Sequence, residues 1–390
     1  MQVTRLHDLD SCRKIASAWD CMAHTIPFRG TAWLHKWWEH FRGTTESDGE
    51  LFVLQVTDEA GEIVGIAPWF RDRSVYHGRV VRPLGAGKVC SEYLGILATA
   101  EHERDVARAL AQWLVAAADG HHGPENCWDL LDLVSVDAED SGMAYLAADL
   151  ETAGTVVHRR DAMSCWRIML PESWDEYVAG LGKSRRKQVR RIDRKWLESG
   201  AMTFRTARTL EEVEYGLNIL EALHQERQES VGHQGCFSDP AFSGFLWDAA
   251  KCMLEQRTLE LHWIEMDGIP WAAEYQFTGG NVTYDYLGGI SRDKRKYGPG
   301  QIVQVAVLKR SIRQQRSVFD FLRGNEAYKF GWAVQERKCH DVRVVPQRRL
   351  PRLRHRLWLA GGSMKHWIRT GMDMTGLHEV ARNSGHEIPR

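Results

Sequence analysis

The sequence predicts a mixed α/β (α+β) protein whose sheets are flanked by helices and whose two halves share one grammar. Three observations carry this. Short runs rich in Val, Ile, Leu and aromatic residues recur between polar, glycine-bearing turns. Helix-start signals and amphipathic stretches alternate with those runs. At 390 residues the chain exceeds one ordinary domain of about 100–200 residues.

In the first half, residues 31–42 read as a helix, with Trp33, Trp37 and Phe41 at spacing four. Leu51–Val56 and Ile63–Phe70 read as two strands joined by the polar loop Asp58-Glu59-Ala60-Gly61. Val80–Gly87 follows, then Tyr93–Leu97 as a short strand. Glu103–Ala118 reads as a helix with Val106, Leu110, Trp113 and Leu114 on one side, and Leu130–Val136 as a further strand.

The second half repeats the pattern. Ser173-x-x-Glu176 and Thr209-x-x-Glu212 are capping boxes. Asp239-Pro240 opens a third helix, with proline where no N–H is needed. Leu259–Glu265, Ile269–Phe277 and Val282–Ile290 read as successive strands turning at Asp267-Gly268 and Gly279-Gly280-Asn281. Gln301–Gln314 reads as a helix and Val318–Leu322 as a strand. The division is expected as 1–160, 161–345 and a basic helical tail, 346–390.

Apolar residues at 43% and charged residues at 26% exclude wholesale disorder. A formal charge of −1 argues against a uniformly basic nucleic-acid coat. Eight cysteines with no C-x-x-C pair do not build a disulfide scaffold, a zinc ribbon or a thioredoxin motif. A reduced, cytoplasmic protein is expected. Residues 1–20 lack the apolar core of a secretory signal, and no apolar run is long enough to span a membrane. The histidines show no metal-ligand spacing, so no metal is expected.

The sharpest motif is Arg295-Lys296-Tyr297-Gly298-Pro299-Gly300, between the strand ending at Ile290 and the helix beginning at Gln301. Two glycines let a backbone approach an anion closely, and the first helical turn aims N–H groups at it. A basic turn before an amphipathic helix is the plainer alternative. G-x-G-x-x-G fails because Val303 replaces the third glycine, and the P-loop fails because Tyr177 stands where its first glycine belongs. No G-x-S-x-G or H-E-x-x-H occurs.

R-x-x-G-x-G between a strand and a helix resembles the acyl-CoA pyrophosphate loop of the GNAT N-acetyltransferase superfamily. Phe28 through Phe41, Leu51–Phe70, Pro83-Leu84-Gly85 and Glu92-Tyr93-Leu94 resemble the N-terminal half of CelD-type acetyltransferases, a group linked to cellulose and exopolysaccharide synthesis. Ser184-Arg185-Arg186-Lys187 and Phe319 through Phe330 resemble the C-terminal half. The resemblance spans about residues 1–345. It implies two tandem GNAT-like (acyl-CoA N-acyltransferase) domains, as in Fem-type aminoacyltransferases. The first half has no glycine loop after its strand, only Ala98-Thr99-Ala100-Glu101-His102, and is expected to be degenerate.

The resemblance assigns the acyl-CoA site to Arg295, Lys296, Gly298, Gly300 and Gln301. An attacking amine must lose a proton. Glu274 and Asp285, carboxylates among aromatic strand residues, are the candidate bases, Asp285 ahead because it is nearer the loop. By analogy with GNAT enzymes, Tyr328 is the candidate acid for the leaving thiolate. The basic stretch from Ser184 to Lys195 is a solvated helix face or an electropositive wall for an anionic acceptor or the CoA 3′-phosphate, so Arg185, Arg186 and Arg190 are candidate acceptor contacts. Glu326 and Lys329 join them, as does Asp320, which alternates with Phe319 and Phe321 and is expected to point into the cleft.

The function expected is acyl transfer, most simply acetyl transfer, from acyl-CoA to an amine or hydroxyl of a cell-envelope or exopolysaccharide-related acceptor, anionic or sugar-linked. Two alternatives stand beside it: an aminoacyl-tRNA-dependent Fem-like transferase, and a non-catalytic module of a polysaccharide-synthesis assembly.

Overall fold

A computed structural model describes residues 1–44, 49–230 and 232–374, with backbone alone for Ser230 and 362–374. Of the expected tail, residues 375–390 and the side chains of Met364 and Trp367 lie outside the described residues.

The first half comprises β1 (Gln2–Leu6), α1 (Leu9–Lys14), α2 (Ala16–Ala23), α3 (Thr31–Phe41), β2 (Glu50–Leu51), β3 (Val53–Thr57), β4 (Ile63–Ala67), β5 (Trp69–Ser74), β6 (Gly78–Pro83), β7 (Leu97–Ala98), α4 (Glu103–Ala118), β8 (Leu130–Asp137), α5 (Ser141–Thr152) and β9 (Val156–Asp161). One sheet has the order β1-β3-β4-β7. A second runs β2-β5-β6-β8, then takes Cys339–Val345 from the far end of the chain, then β9.

Two expected strands divide. Pro68 cannot donate to a ladder, so 63–70 splits into β4 and β5, each in its own sheet. Leu51 likewise pairs with β5, while Val53 onward pairs with β1 and β4. The expected strand Tyr93–Leu97 shrinks to Leu97–Ala98. Tyr93 has φ +57°, a left-handed backbone that breaks the extended run at that point.

The second half comprises β10 (Cys165–Met169), α6 (Trp174–Gly180), α7 (Lys183–Ile192), β11 (Thr203–Thr206), α8 (Leu210–Ser230), α9 (Pro240–Glu255), β12 (Leu259–Met266), β13 (Ile269–Gly279), β14 (Val282–Ile290), α10 (Pro299–Arg313), β15 (Val318–Arg323), β16 (Gln335–Arg337), β17 (Cys339–Val345) and α11 (Arg349–Met374). One seven-stranded sheet runs β11-β12-β13-β14-β15-β10-β16. The helix starts follow their signals. Thr209 Oγ1 accepts from Glu212 N at 3.2 Å while Glu212 Oε2 accepts from Thr209 N at 3.2 Å. Asp239 caps α9 through Ala241 N at 3.0 Å. Asp267 and Gly268, at φ +53° and +73°, form the two-residue turn between β12 and β13.

The halves share a core. Phe28 meets Phe277 edge-on at 4.8 Å and Trp33 meets Phe245 at 4.7 Å. Aromatic pairs of this kind add to the burial of their large surfaces.

One feature of the large sheet makes the site. β14 and β15 pair in parallel only over Val282–Tyr284 and Val318–Asp320. Beyond that, β14 stays with β13 as far as Ile290, and β15 stays with β10 as far as Arg323. The strands therefore splay. Where they part, Tyr275 faces Leu287 and Gln276 faces Asp285, so Tyr286 is a bulge residue with no opposite number.

Candidate active site

A cavity of about 600 Å³ occupies the splay. Asp285 through Gly288 of β14 form one wall, and Phe321 to Arg323 of β15 form the other. The start of α10 closes one end. Beyond Tyr284, β14 has no partner on its β15 side among the described residues, so alternate backbone groups along that edge face the opening.

The α10 end is built for an anion. Gly298 caps the helix in the left-handed conformation, φ +72°, and Pro299 takes the first helical position. Among the described residues, Gly300 N–H has no hydrogen-bond partner. A Cβ on Gly300 would find its nearest neighbour, Ile290 Cγ2, at 3.6 Å, so the position is open. Arg295, Gly298, Gly300 and Gln301 all line the cavity. Gln301 Oε1 accepts from Gln188 Nε2 at 2.6 Å, and Gln188 Oε1 accepts from Arg185 Nη1 at 3.1 Å. Arg185 also donates to Gly331 O at 3.0 Å and lies 4.6 Å over the Trp332 ring, which orients its guanidinium at the cavity wall.

Lys296 departs from expectation. It points to the other side of the loop, into a separate depression of about 210 Å³ shared with Arg191, Lys195, Trp196 and Tyr297. The cause is Tyr297, whose ring stacks on Trp271 at 5.2 Å and fixes the turn.

Two carboxyls face the middle of the cavity. Glu274 lies across the strand from Gly288, where a Cβ would come within 2.5 Å of Glu274 Oε2. Only glycine leaves room for that carboxyl. Burial, then the charge of Asp285, holds Glu274 well above the usual carboxylate range. Asp285 accepts from Gln276 Nε2 at 2.7 Å. Burial pushes it up to about 6, against the pull of Gln276 and Lys329. Burial thus favours the neutral form of both groups, and the neighbouring charge of Asp285 favours it further in Glu274. Tyr328 stands at the same cavity, 51% exposed, with its ring against Phe321 at 6.0 Å. Desolvation at the cavity, then the charges of Asp285 and Glu274, raises its pKa, so it remains a proton donor.

Lys329 is buried beneath the loop after β15. It donates to Arg323 O at 2.6 Å and pairs with Glu326 at 2.9 Å, and both residues line the cavity. Three other expectations fail. Asp320 does not face the cleft. It is fully buried, accepts from Tyr93 Oη at 2.7 Å and from Leu322 N at 2.8 Å, and joins the two halves. Alternation placed it opposite its phenylalanines correctly, but that side of β15 is covered by the first half. Arg186 folds back on Leu181 O at 2.9 Å, and Arg190 is exposed on α7 away from the cavity, because one helix turns only one face to a neighbour.

The cavity also receives groups that sequence reasoning passed over. Cys90 and Glu92 enter from the first half, Arg227 from α8, and Arg323 from β15. Glu92 is ion-paired with Arg323, yet burial still raises it to about 7. Residues 231 positions apart meet here, and no local pattern announces such a pair.

Residues 183–330 match the family model described as Acetyltransferase (GNAT) domain. No curated protein matches the chain. Among solved structures, FemX is similar at a TM-score of 0.61 and 12% identity, covering 88% of this chain and 97% of that one. A conserved protein of unknown function from Bacteroides thetaiotaomicron VPI-5482 is similar at a TM-score of 0.55 and 11% identity, covering 88% of this chain and 100% of that one. These likenesses concern the fold. The chain carries a GNAT acetyltransferase domain and is an acyltransferase.

Proposed function

We propose that the protein transfers an acyl group, acetyl in the simplest case, from acyl-CoA to an amine or hydroxyl acceptor inside the splay. One observation supports this above all. A single cavity joins an anion-binding helix start, Gly298 to Gln301, to a carboxylate with a pKa near 6 and to a protonated tyrosine. The open Gly300 position and its unpaired N–H fit a pyrophosphate, with Arg295 adding charge.

In this reading Asp285 accepts the acceptor's proton as its nitrogen or oxygen bonds to the thioester carbonyl carbon. Backbone N–H groups at the β14 bulge stabilise the oxyanion. The C–S bond then breaks, and Tyr328 Oη–H supplies the thiolate's proton. Glu274, kept neutral, holds a hydrogen on the acceptor side. Arg185 orients the donor end, and Glu326 and Lys329 border the acceptor.

The acceptor class, cell-envelope or exopolysaccharide, rests on the CelD-type resemblance. Cytoplasmic placement follows from the need for an acyl-CoA pool. Residues 1–160 shape the acceptor side and 161–345 carry the chemistry, with β17 tying the second unit into the first unit's sheet. The test is thiol release from acetyl-CoA across amines, amino sugars and sugar hydroxyls, with aminoacyl-tRNA as the rival donor. Transfer from aminoacyl-tRNA with none from acetyl-CoA would replace this reading with the Fem-like one.

A further inference from the structure

The first turns of α11, residues 349–361, carry two apolar stripes, and among the described residues only one of them is packed. Pro351 and His355 are buried against the body, and Trp358 takes Arg343 over its ring at 4.1 Å. Arg348 donates to Asp129 Oδ1 at 2.6 Å and Arg352 to Gly154 O at 2.8 Å. The opposite side carries Leu350, Leu353 and Leu357, each more than half exposed. Their spacing of three and four puts them in one stripe. Arg349 and Arg356, also exposed, flank it.

A second element presents apolar surface beside this helix. The tip of the β5–β6 hairpin holds Val75 and Tyr76, 90% and 81% exposed. Arg354 of α11 reaches the base of that hairpin, where a Cβ on Gly78 would meet its Nη1 at 2.4 Å. Stripe and tip thus belong to neighbouring elements on one region of the surface. Isolated exposed apolar residues need no explanation, but a leucine stripe beside an exposed aromatic tip does.

Charge selects the occupant. Between Asp341 and Asp373 the chain has no acidic residue, while Arg348, Arg349, Arg352, Arg354 and Arg356 crowd the start of the helix. A second copy docking through the same face would set arginine against arginine. Nucleic acid would match the arginines but leave three leucines against phosphate. We propose that α11 and the β5–β6 hairpin tip dock in the plane of an anionic lipid surface. The leucines, Val75 and Tyr76 enter the acyl boundary, and the exposed Arg349 and Arg356 lie among the headgroups. No helix among the described residues is long and apolar enough to cross a membrane, so this is peripheral contact. The inference does not depend on the proposed reaction.

The test is co-sedimentation of the full chain with vesicles of phosphatidylglycerol mixed into phosphatidylcholine, and with phosphatidylcholine alone. The wild type is expected to sediment with the anionic vesicles only, and less as salt rises. Leu350→Ser, Leu353→Ser and Leu357→Ser together should weaken partition at least about tenfold, since each buried leucine is worth a factor of that order. Val75→Ser with Tyr76→Ser should weaken it too, and serves as the second variant if the triple one melts early. Thiol release from acetyl-CoA should be unchanged in both. No sedimentation of the wild type with anionic vesicles, or unaltered partition of folded variants, overturns the proposal. So does a dimer, seen by sedimentation velocity without vesicle binding, that the leucine variants dissolve.

Discussion

Asp285→Asn is expected to slow transfer and stabilise the fold at once. Asp285 titrates near 6 in the folded chain because burial disfavours its charge. Its usual value, 3.8, applies when unfolded. A raised folded pKa means that the carboxyl favours folding fully below about pH 3.8, and that this contribution fades as pH rises through 6. Near pH 7.5 the ionised carboxylate is therefore a cost to the fold, on the order of 1–3 kcal/mol. Asparagine is close in size, can still accept from Gln276, and carries no charge. Its melting temperature at pH 7.5 should rise, and the gain should vanish near pH 4. The rate should fall about 10²–10⁴-fold, or about 3–5 kcal/mol in barrier. The wild-type acidic limb, falling tenfold per pH unit below about 6, should also disappear. Thiol release from acetyl-CoA with an amine acceptor reads the rate, and a melt at each pH reads the stability. Full activity with an unaltered pH profile would refute the reasoning. A melting temperature that does not rise would show that the charge is not held at a cost.

Other expectations follow from single contacts. Gly288→Ala should push Glu274 out of place, because the new Cβ meets Oε2 at 2.5 Å; lower stability and turnover with unchanged CoA affinity would bear this out. Tyr93→Phe should cost about 1–3 kcal/mol in chemical denaturation by stripping buried Asp320 of a donor, while calorimetric CoA affinity stays the same. Arg190→Gln, on an exposed face, should shift stability by less than about 0.5 kcal/mol; a large loss of acceptor affinity would return Arg190 to the site.

Much of the second half was legible because its signals are local. The capping boxes, the Asp267-Gly268 turn and the glycine loop each act within a few residues, and each stands where its spacing put it. Glu274, Asp285 and Tyr328 were legible as carboxyls and a phenol near that loop, and one cavity gathers them. Less legible was anything set by distant chain. Pro68 divides a run that hydropathy reads as continuous. Asp320 turns toward Tyr93, a residue 227 positions away. Lys296 is turned aside by the stacking of Tyr297 on Trp271. Glu92 and Arg323 form a wall that exists only once the halves share a core.

The central claim is that the start of α10 holds the CoA pyrophosphate. Calorimetric titration of acetyl-CoA into the wild type and into Gly300→Val tests it most directly. That glycine lies in helical backbone, and its missing Cβ would make only an ordinary contact, 3.6 Å to Ile290 Cγ2, so the variant should fold. Saturable binding of one acetyl-CoA per chain, abolished in the folded variant, is the predicted result. Equal affinity in both proteins, or no binding by the wild type, would contradict it.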